Sequence, residues 1–241
     1  MKKIIYESLL QLIVIYPLII IFIKKYNKEN IRKIIVFGLI FISYQIIIML
    51  PNIFDFLNVI NGNWNWNGKI LGVLFGVLCY FLFRKLFKDY DFFTLKQDKT
   101  DFKKISILSL AVVLFATIMW FIFGKSEFDM ETLAFQLTLP GIDEEIMYRG
   151  VLLGILMSGL KEKSRLIGSP SLLIISILFG LIHALKLNQG LTPSFNLIYF
   201  FQTGLVGYAW GWITIKSRSV LLAMLSHNFS NFFGTLAAML K

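Results

Sequence analysis

Charged residues, cysteine and histidine are scarce in this chain. Only 16% of its 241 residues are charged, 57% are hydrophobic, and the mean hydropathy is +0.72. A water-soluble domain of this size would be unable to bury so much apolar surface, so a bilayer is the expected solvent. The single cysteine, Cys79, excludes a disulfide framework within the chain. Because Cys79 lies in an apolar run, we interpret it as a small buried hydrophobe.

The sequence also lacks internal repeats, low-complexity tracts and Pro/Gly/Ser-rich linkers, which is typical of one compact unit. Its apolar runs predict an all-α, polytopic transmembrane helix bundle with about eight spanning helices. The expected spans are 5–23, 34–53, 70–83, 105–123, 131–160, 170–187, 195–215 and 219–240. Polar residues within the spans are concentrated in the second half of the chain. We therefore divide it into N-terminal scaffold helices (1–104) and a functional module (105–241).

The net charge of +10 is carried by connections rather than by spans. Alternate connections hold 17 Lys and Arg residues, whereas the remaining connections, the termini and the end of the sixth span together hold 6. This alternation is the positive-inside pattern, and it predicts a multi-pass membrane protein whose basic loops are cytoplasmic. The charge then orients the chain and contacts anionic lipid, and it requires no nucleic acid partner. Richness in Lys, Ile and Asn is typical of an AT-rich bacterial genome, which favours the bacterial plasma membrane.

Two connections have a composition of their own. Residues 84–104 mix charges with Phe and Leu, which fits either an interfacial amphipathic helix or a solvated loop. Trp64 and Trp66 stand where an aromatic belt at the membrane interface is expected.

The fifth span carries adjacent acids, Asp143, Glu144 and Glu145, just after Pro140–Gly141. The Pro-Gly pair predicts a break or a kink, and acids are favoured in the first turn of the helix that follows. Glu145 and Arg149 are four residues apart and can pair on one helix face. Glu144 lies about 100° round the helix and lacks that partner, so it is free to act as a general base. The alternative is that all three acids lie at the membrane surface and cap the helix.

The only two histidines both lie inside apolar runs. His183 follows Phe179 by four residues, and His227 precedes Asn231 by four, so each pair shares a helix face. Each histidine alone also fits a packing role with a hydrogen bond between helices. Together with a free carboxylate, however, two imidazoles and an amide are what water activation and oxyanion stabilisation require. Ionisable groups at membrane depth usually mark a functional site.

In order along residues 130–235, these motifs resemble the signature of the CPBP intramembrane proteases, also called the Abi family, which includes CAAX prenyl endopeptidases and bacteriocin-processing enzymes. The matching motifs are Glu144-Glu145-Ile-Met-Tyr-Arg149, Phe179-xxx-His183 and His227-xxx-Asn231. The first four spans match nothing in the family.

The resemblance implies hydrolysis of a peptide bond in a membrane-associated peptide or protein. Glu144 with His183 is then expected to activate water, and His227 with Asn231 to stabilise the oxyanion. Glu145, Arg149 and Phe179 are expected to support these groups. Two imidazoles and the Glu144 carboxylate also suit a Zn²⁺ ion with an open position. The compact His-Glu-xx-His spacing is absent, however, which favours a mechanism without a cofactor.

Two alternatives use the same residues differently. A non-catalytic immunity or scaffold protein, acting with a bacteriocin system or a sensor kinase, would keep the fold without the chemistry. A proton- or cation-coupled transporter would use Glu144 and the histidines as relay groups. The lack of paired broken helices in two matching halves argues against a transporter.

Overall fold

Each of the eight apolar runs is helical in the computed structural model, which describes residues 1–164 and 168–241. The helices are α1 (Lys2–Phe22), α2 (Lys28–Ile47), α3 (Trp66–Phe83), α4 (Phe102–Phe123), α5 (Met130–Glu145), α6 (Leu153–Gly159), α7 (Pro170–Ala184), α8 (Leu197–Ser217) and α9 (Leu221–Met239). A π-helical stretch, Ile146–Leu152, joins α5 to α6, so the predicted fifth span is one continuous rod. The all-α membrane fold is thereby confirmed.

Three of the helices in the described residues, α1, α2 and α4, are long and apolar enough to cross a membrane. Helix α7 is apolar but shorter. The rod of α5, the π stretch and α6 is the most deeply buried part of the chain, and Met147 to Leu153 are essentially inaccessible to solvent. Around this rod, α9 packs on α4 and α5, α7 packs on α8, and α3 packs on α5.

Helix α5 does not end at Pro140, so of the predicted break or kink the break is wrong. The helix runs through Pro140, and Glu145 is its last residue. The N–H of Gly141 donates to Asn228 Oδ1 of α9 at 2.8 Å. A side chain from another helix therefore satisfies the backbone beside the proline, as membrane helices require.

The start of α5 is held by the tryptophan-rich connection that precedes α3. The indole of Trp64 donates to Thr132 Oγ1 at 2.8 Å and stacks on Phe135. The indole of Trp66 donates to Glu131 Oε1 at 3.0 Å. Both indoles thus pack against α5, a contact that the aromatic-belt interpretation did not predict.

Asp129 caps the N-terminus of α5. Its carboxylate accepts from the N–H groups of Glu131 and Thr132 at 3.2 and 3.0 Å. The hydrogen bond from the Thr132 hydroxyl, followed by the one from its backbone N–H, lowers the pKa of Asp129. A charged carboxylate at this position also complements the helix dipole.

The connection between α3 and α4 is a packed loop rather than an amphipathic helix. It contains two short 3₁₀ turns, at Arg84–Leu86 and Lys88–Tyr90, and is irregular from there to α4. Phe87 and Phe92 are buried, and the loop accepts a hydrogen bond from Val220 N–H at Phe92 O, 3.0 Å away. The interfacial amphipathic helix, one of the two predicted alternatives, is therefore absent from this segment.

A short hairpin follows α7 and interrupts the otherwise helical fold. Its strands, β1 (Leu185–Leu187) and β2 (Pro193–Phe195), are antiparallel, with Lys186 opposite Ser194. The predicted sixth span therefore stops at Ala184 rather than at residue 187. On the outer edge of β1, Leu187 N–H donates to Glu7 Oε1 of α1 at 2.7 Å. The Glu7 side chain thus accepts a hydrogen bond that a third strand would otherwise accept.

Candidate active site

The first motif forms a buried ion pair that also holds one of the histidines. Arg149 Nη1 donates to Glu145 Oε1 at 3.0 Å, and both side chains are completely buried. The same oxygen lies 2.9 Å from His227 Nδ1. Arg149 Nη2 donates to Gly207 O of α8 at 2.9 Å. The predicted Glu145–Arg149 pair is confirmed, and it ties the α5 rod to α8 and α9.

Glu144, by contrast, is not free of ionic partners. Lys69 Nζ lies 2.7 Å from Glu144 Oε1 and 2.9 Å from Asp143 Oδ2. Asp143 also accepts a 2.6 Å hydrogen bond from the hydroxyl of Tyr44 on α2. Glu144 lacks Arg149 as a partner, as expected, and pairs with Lys69 instead. The alternative in which all three acids lie at the surface is wrong. All three carboxylates lie inside the bundle.

The sequence does not single out Lys69, because it lies just outside the third apolar run. Lys69 is in fact the fourth residue of α3, and its side chain is only 14% exposed. The feature that could have identified it is its position as a single ionisable residue at the end of a span, since ionisable residues at membrane depth usually mark functional sites.

His183 is oriented by its own helix. Its Nδ1 lies 2.8 Å from the carbonyl oxygen of Phe179, so Nδ1 carries the proton in that contact and Nε2 is left with its lone pair. The ring of Tyr199, at the start of α8, lies edge-on to the imidazole with 5.9 Å between centroids. His183 is half-buried, next to the hairpin that follows α7.

Phe179 lies between the two histidines. Its ring centroid is 4.7 Å from that of His183 and 6.3 Å from that of His227, and the Arg149 guanidinium lies 4.4 Å above its face. Both imidazoles are close enough to interact electrostatically with the Glu144 carboxylate. The acid and the two imidazoles from three separate helices therefore share one neighbourhood.

His227 is stacked on Trp210 of α8, a contact that the motif spacing did not reveal. The ring centroids are 3.8 Å apart and the planes differ by 14°. The Trp210 indole donates to Ser226 Oγ at 3.2 Å. With Glu145 at Nδ1 and Trp210 against one face, His227 has a fixed ring orientation.

The two asparagines of α9 have different environments. Asn228 is buried and accepts the Gly141 N–H. Asn231 lies one turn beyond His227, is half-buried, and has no hydrogen-bond partner among the described residues. Its amide is therefore available, whereas that of Asn228 holds α5 in place.

The expected ligands of a Zn²⁺ ion are Glu144, His183 and His227. No three His, Cys, Asp or Glu side chains in this part of the chain converge to hold a metal. Glu144, one of the three expected ligands, has the Lys69 ammonium 2.7 Å from Oε1, and a cation at this position opposes binding of a divalent ion.

Comparison with known proteins gives one match. Residues 126–233 match the sequence model of a family described as type II CAAX prenyl endopeptidase Rce1-like. This segment is therefore similar to the CAAX proteases over less than half of the chain. It contains the three motifs, and it extends from the loop before α5 to the middle of α9. The similarity indicates a membrane protease acting on a peptide or protein. No curated protein and no solved structure matches the chain.

Proposed function

We propose that this protein is an intramembrane endopeptidase that uses Glu144 and His183 to activate water and His227 and Asn231 to stabilise the oxyanion. The observation that supports it most strongly is the shared environment of Glu144 and both imidazoles, deep in a CAAX protease segment. A peptide or a membrane protein is the substrate. CAAX-type, bacteriocin and signal-peptide processing all fit this chemistry.

Water activation requires a proton acceptor whose lone pair is not already engaged. Glu144 Oε2 is buried and has no hydrogen-bond partner in the described part of the chain, so it is a vacant acceptor. His183 Nε2 is a second acceptor, because Nδ1 is engaged by Phe179 O. A water bound between them would lose its proton to Glu144 as it attacks the carbonyl carbon.

Oxyanion stabilisation requires donors at the developing negative charge. In the imidazolium form, His227 donates Nδ1–H to Glu145 and has Nε2–H left for the oxyanion. The amide of Asn231, one helical turn away, supplies a second donor. Glu145 and Arg149 hold the ring without contacting the substrate.

The test compares the peptides of membranes that contain the intact protein with those of membranes that contain Glu144→Ala. We expect specific products to disappear, with expression unchanged, and the isosteric Glu144→Gln to behave in the same way. Glu127→Ala, which removes an exposed acid outside the bundle, is the control and should leave the products in place. If Glu144→Ala keeps both the products and any cellular phenotype, the chain acts as a non-catalytic immunity or scaffold protein instead.

We also propose that the reaction does not require a bound metal. Metal analysis of the purified protein, followed by chelation and Zn²⁺ add-back, tests this independently of the substrate. Stoichiometric metal, with cleavage lost on chelation and restored by Zn²⁺, would contradict the proposal and make Glu144, His183 and His227 the ligands.

A further inference from the structure

Lys69 is a buried cation that no motif includes. It belongs to α3, outside the matched segment 126–233, yet its ammonium lies between two carboxylates of α5. The side chains of Lys69, Asp143 and Glu144 are 14%, 0% and 13% exposed. An ammonium in such surroundings is retained only where its partners compensate for the loss of hydration.

Asp143 gives Lys69 a fixed anchor. Its Oδ2 accepts from both Tyr44 and Lys69, at 2.6 and 2.9 Å. Gly72, one turn after Lys69, leaves room for the other oxygen, because a Cβ at that position would lie 2.1 Å from Asp143 Oδ1. Helices α2 and α3 thus hold the Asp143 carboxylate on two sides, and Lys69 is held with it.

The two oxygens of Glu144 are consequently unequal. Oε1 contacts Lys69 at 2.7 Å, whereas Oε2 is buried and unpartnered among the described residues. A carboxylate held at one oxygen only presents the other in a defined direction.

We propose that Lys69 is a positioning residue for Glu144. It holds Oε1 against the Asp143–Tyr44 anchor, so that Oε2 is the atom that takes the proton from water. This inference rests on the proposed function. It extends that function by adding α3 to the machinery and by assigning different roles to the two oxygens of Glu144.

The kinetic experiment uses the full chain in lipid vesicles. Its substrate is a quenched fluorescent peptide that contains the cleavage site of the products that disappear in Glu144→Ala. We expect Lys69→Met to lower kcat by about 100-fold, because a displacement of about 1 Å in a catalytic group has an effect of that size. KM should be unchanged, since a residue that only positions Glu144 makes no contact with the substrate. Lys69→Arg should recover much of the loss, because Arg keeps a charged donor at this position.

A double variant separates positioning from folding. Lys69→Met leaves two buried carboxylates without a cation, so it can fail to fold for that reason alone. Lys69→Met/Asp143→Asn removes one of these charges, and we expect it to fold while kcat stays low. The matched control is Lys33→Met. Lys33 is also a largely buried lysine, 10% exposed, but it lies on α2 and pairs with Glu29 at 2.8 Å. This substitution should leave kcat unchanged.

An infrared measurement needs no substrate. The carboxylate band of Glu144 is obtained from the difference between the intact protein and Glu144→Gln, in the Lys69 and the Lys69→Met backgrounds. We expect the band to shift when Lys69 is replaced, and to shift back in Lys69→Arg. An unchanged band, or an unchanged kcat in a folded Lys69→Met protein, overturns the inference. If Glu144→Ala itself keeps cleavage, the proposed function fails instead.

Discussion

Glu144 and Glu145 are neighbours in the chain, but their side chains contact different helices. Glu145 is completely buried and binds Arg149 and His227 through one oxygen. Glu144 points to α3 and pairs with Lys69. The 100° rotation between successive helical residues separates the two carboxylates, so Glu145 supports the imidazole of His227 while Glu144 pairs with Lys69.

Asn228 and Asn231 offer a contrast between stability and activity on a single helix. Asn228→Ala leaves the Gly141 N–H without an acceptor in a buried position. We expect the free energy of unfolding to fall by about 1–3 kcal/mol, the typical cost of an unsatisfied buried group. Thermal unfolding of the purified protein in detergent micelles measures this change.

Asn231→Ala is the control for that measurement. Its amide has no hydrogen-bond partner in the described residues, so its loss should leave the unfolding temperature unchanged while peptide cleavage falls. Equal unfolding temperatures for the two variants would show that Asn228 does not support α5.

At the scale of secondary structure, the α5 rod departs from a regular α-helix at two places. Pro140 removes one backbone donor, and the π stretch Ile146–Leu152 follows directly after Glu145. π-Helical turns often occur at functional sites, because the extra residue changes the direction of the side chains around it. Here the stretch is fully buried and retains the Glu145–Arg149 pair.

Helix α3 packs closely on this rod at glycine residues, which have no Cβ. At Gly72, a Cβ would lie 2.1 Å from Asp143 Oδ1 and 3.0 Å from Ile48 Cγ2. We expect Gly72→Ala to lower the free energy of unfolding by about 1–3 kcal/mol, the usual range for overpacking, and to reduce cleavage by displacing Lys69. Micelle unfolding and the peptide assay measure the two effects.

Gly204→Ala on α8 is the comparison for Gly72→Ala. The nearest atom to a Cβ at residue 204 is Ser176 O at 3.5 Å, an ordinary van der Waals contact. This variant should be at least as stable as the original protein. A Gly72→Ala protein that unfolds at the same temperature as Gly204→Ala would contradict the close packing of α3 on α5.

For the whole molecule, the basic connections gather at one end. Backbone bonds join the start of the first connection to the end of α6, with Lys24 N–H donating to Gly159 O at 3.0 Å. The loop after α3 reaches the turn between α8 and α9, where Asp98 N–H donates to Ser217 O at 2.8 Å. Helix α7 ends at the opposite end of the bundle, so His183 lies away from the basic connections.

This polarity yields a prediction of orientation. In a Cys79→Ala background, a membrane-impermeant maleimide should label Asn61→Cys on intact cells. It should label Lys99→Cys only after the membrane is made permeable, because basic loops stay cytoplasmic. Both positions are exposed, so differences in burial do not affect the comparison. The reverse labelling pattern would place the basic end outside.

The sequence alone was sufficient for the helical membrane fold, because apolar length and charge alternation depend only on the order of residues along the chain. It also predicted the Glu145–Arg149 pair, since a spacing of four residues fixes a shared helix face. The buried state of Cys79 likewise follows from the apolar run around it.

Contacts between helices were decided only by the tertiary structure. The pairing of Lys69 with Glu144, the stacking of Trp210 on His227 and the support of Gly141 by Asn228 each join residues far apart in sequence. Helical periodicity gives the face on which a side chain lies but not the helix that it meets. Which helix it meets depends on how the helices pack together, and the spacing of residues within one helix does not determine this packing.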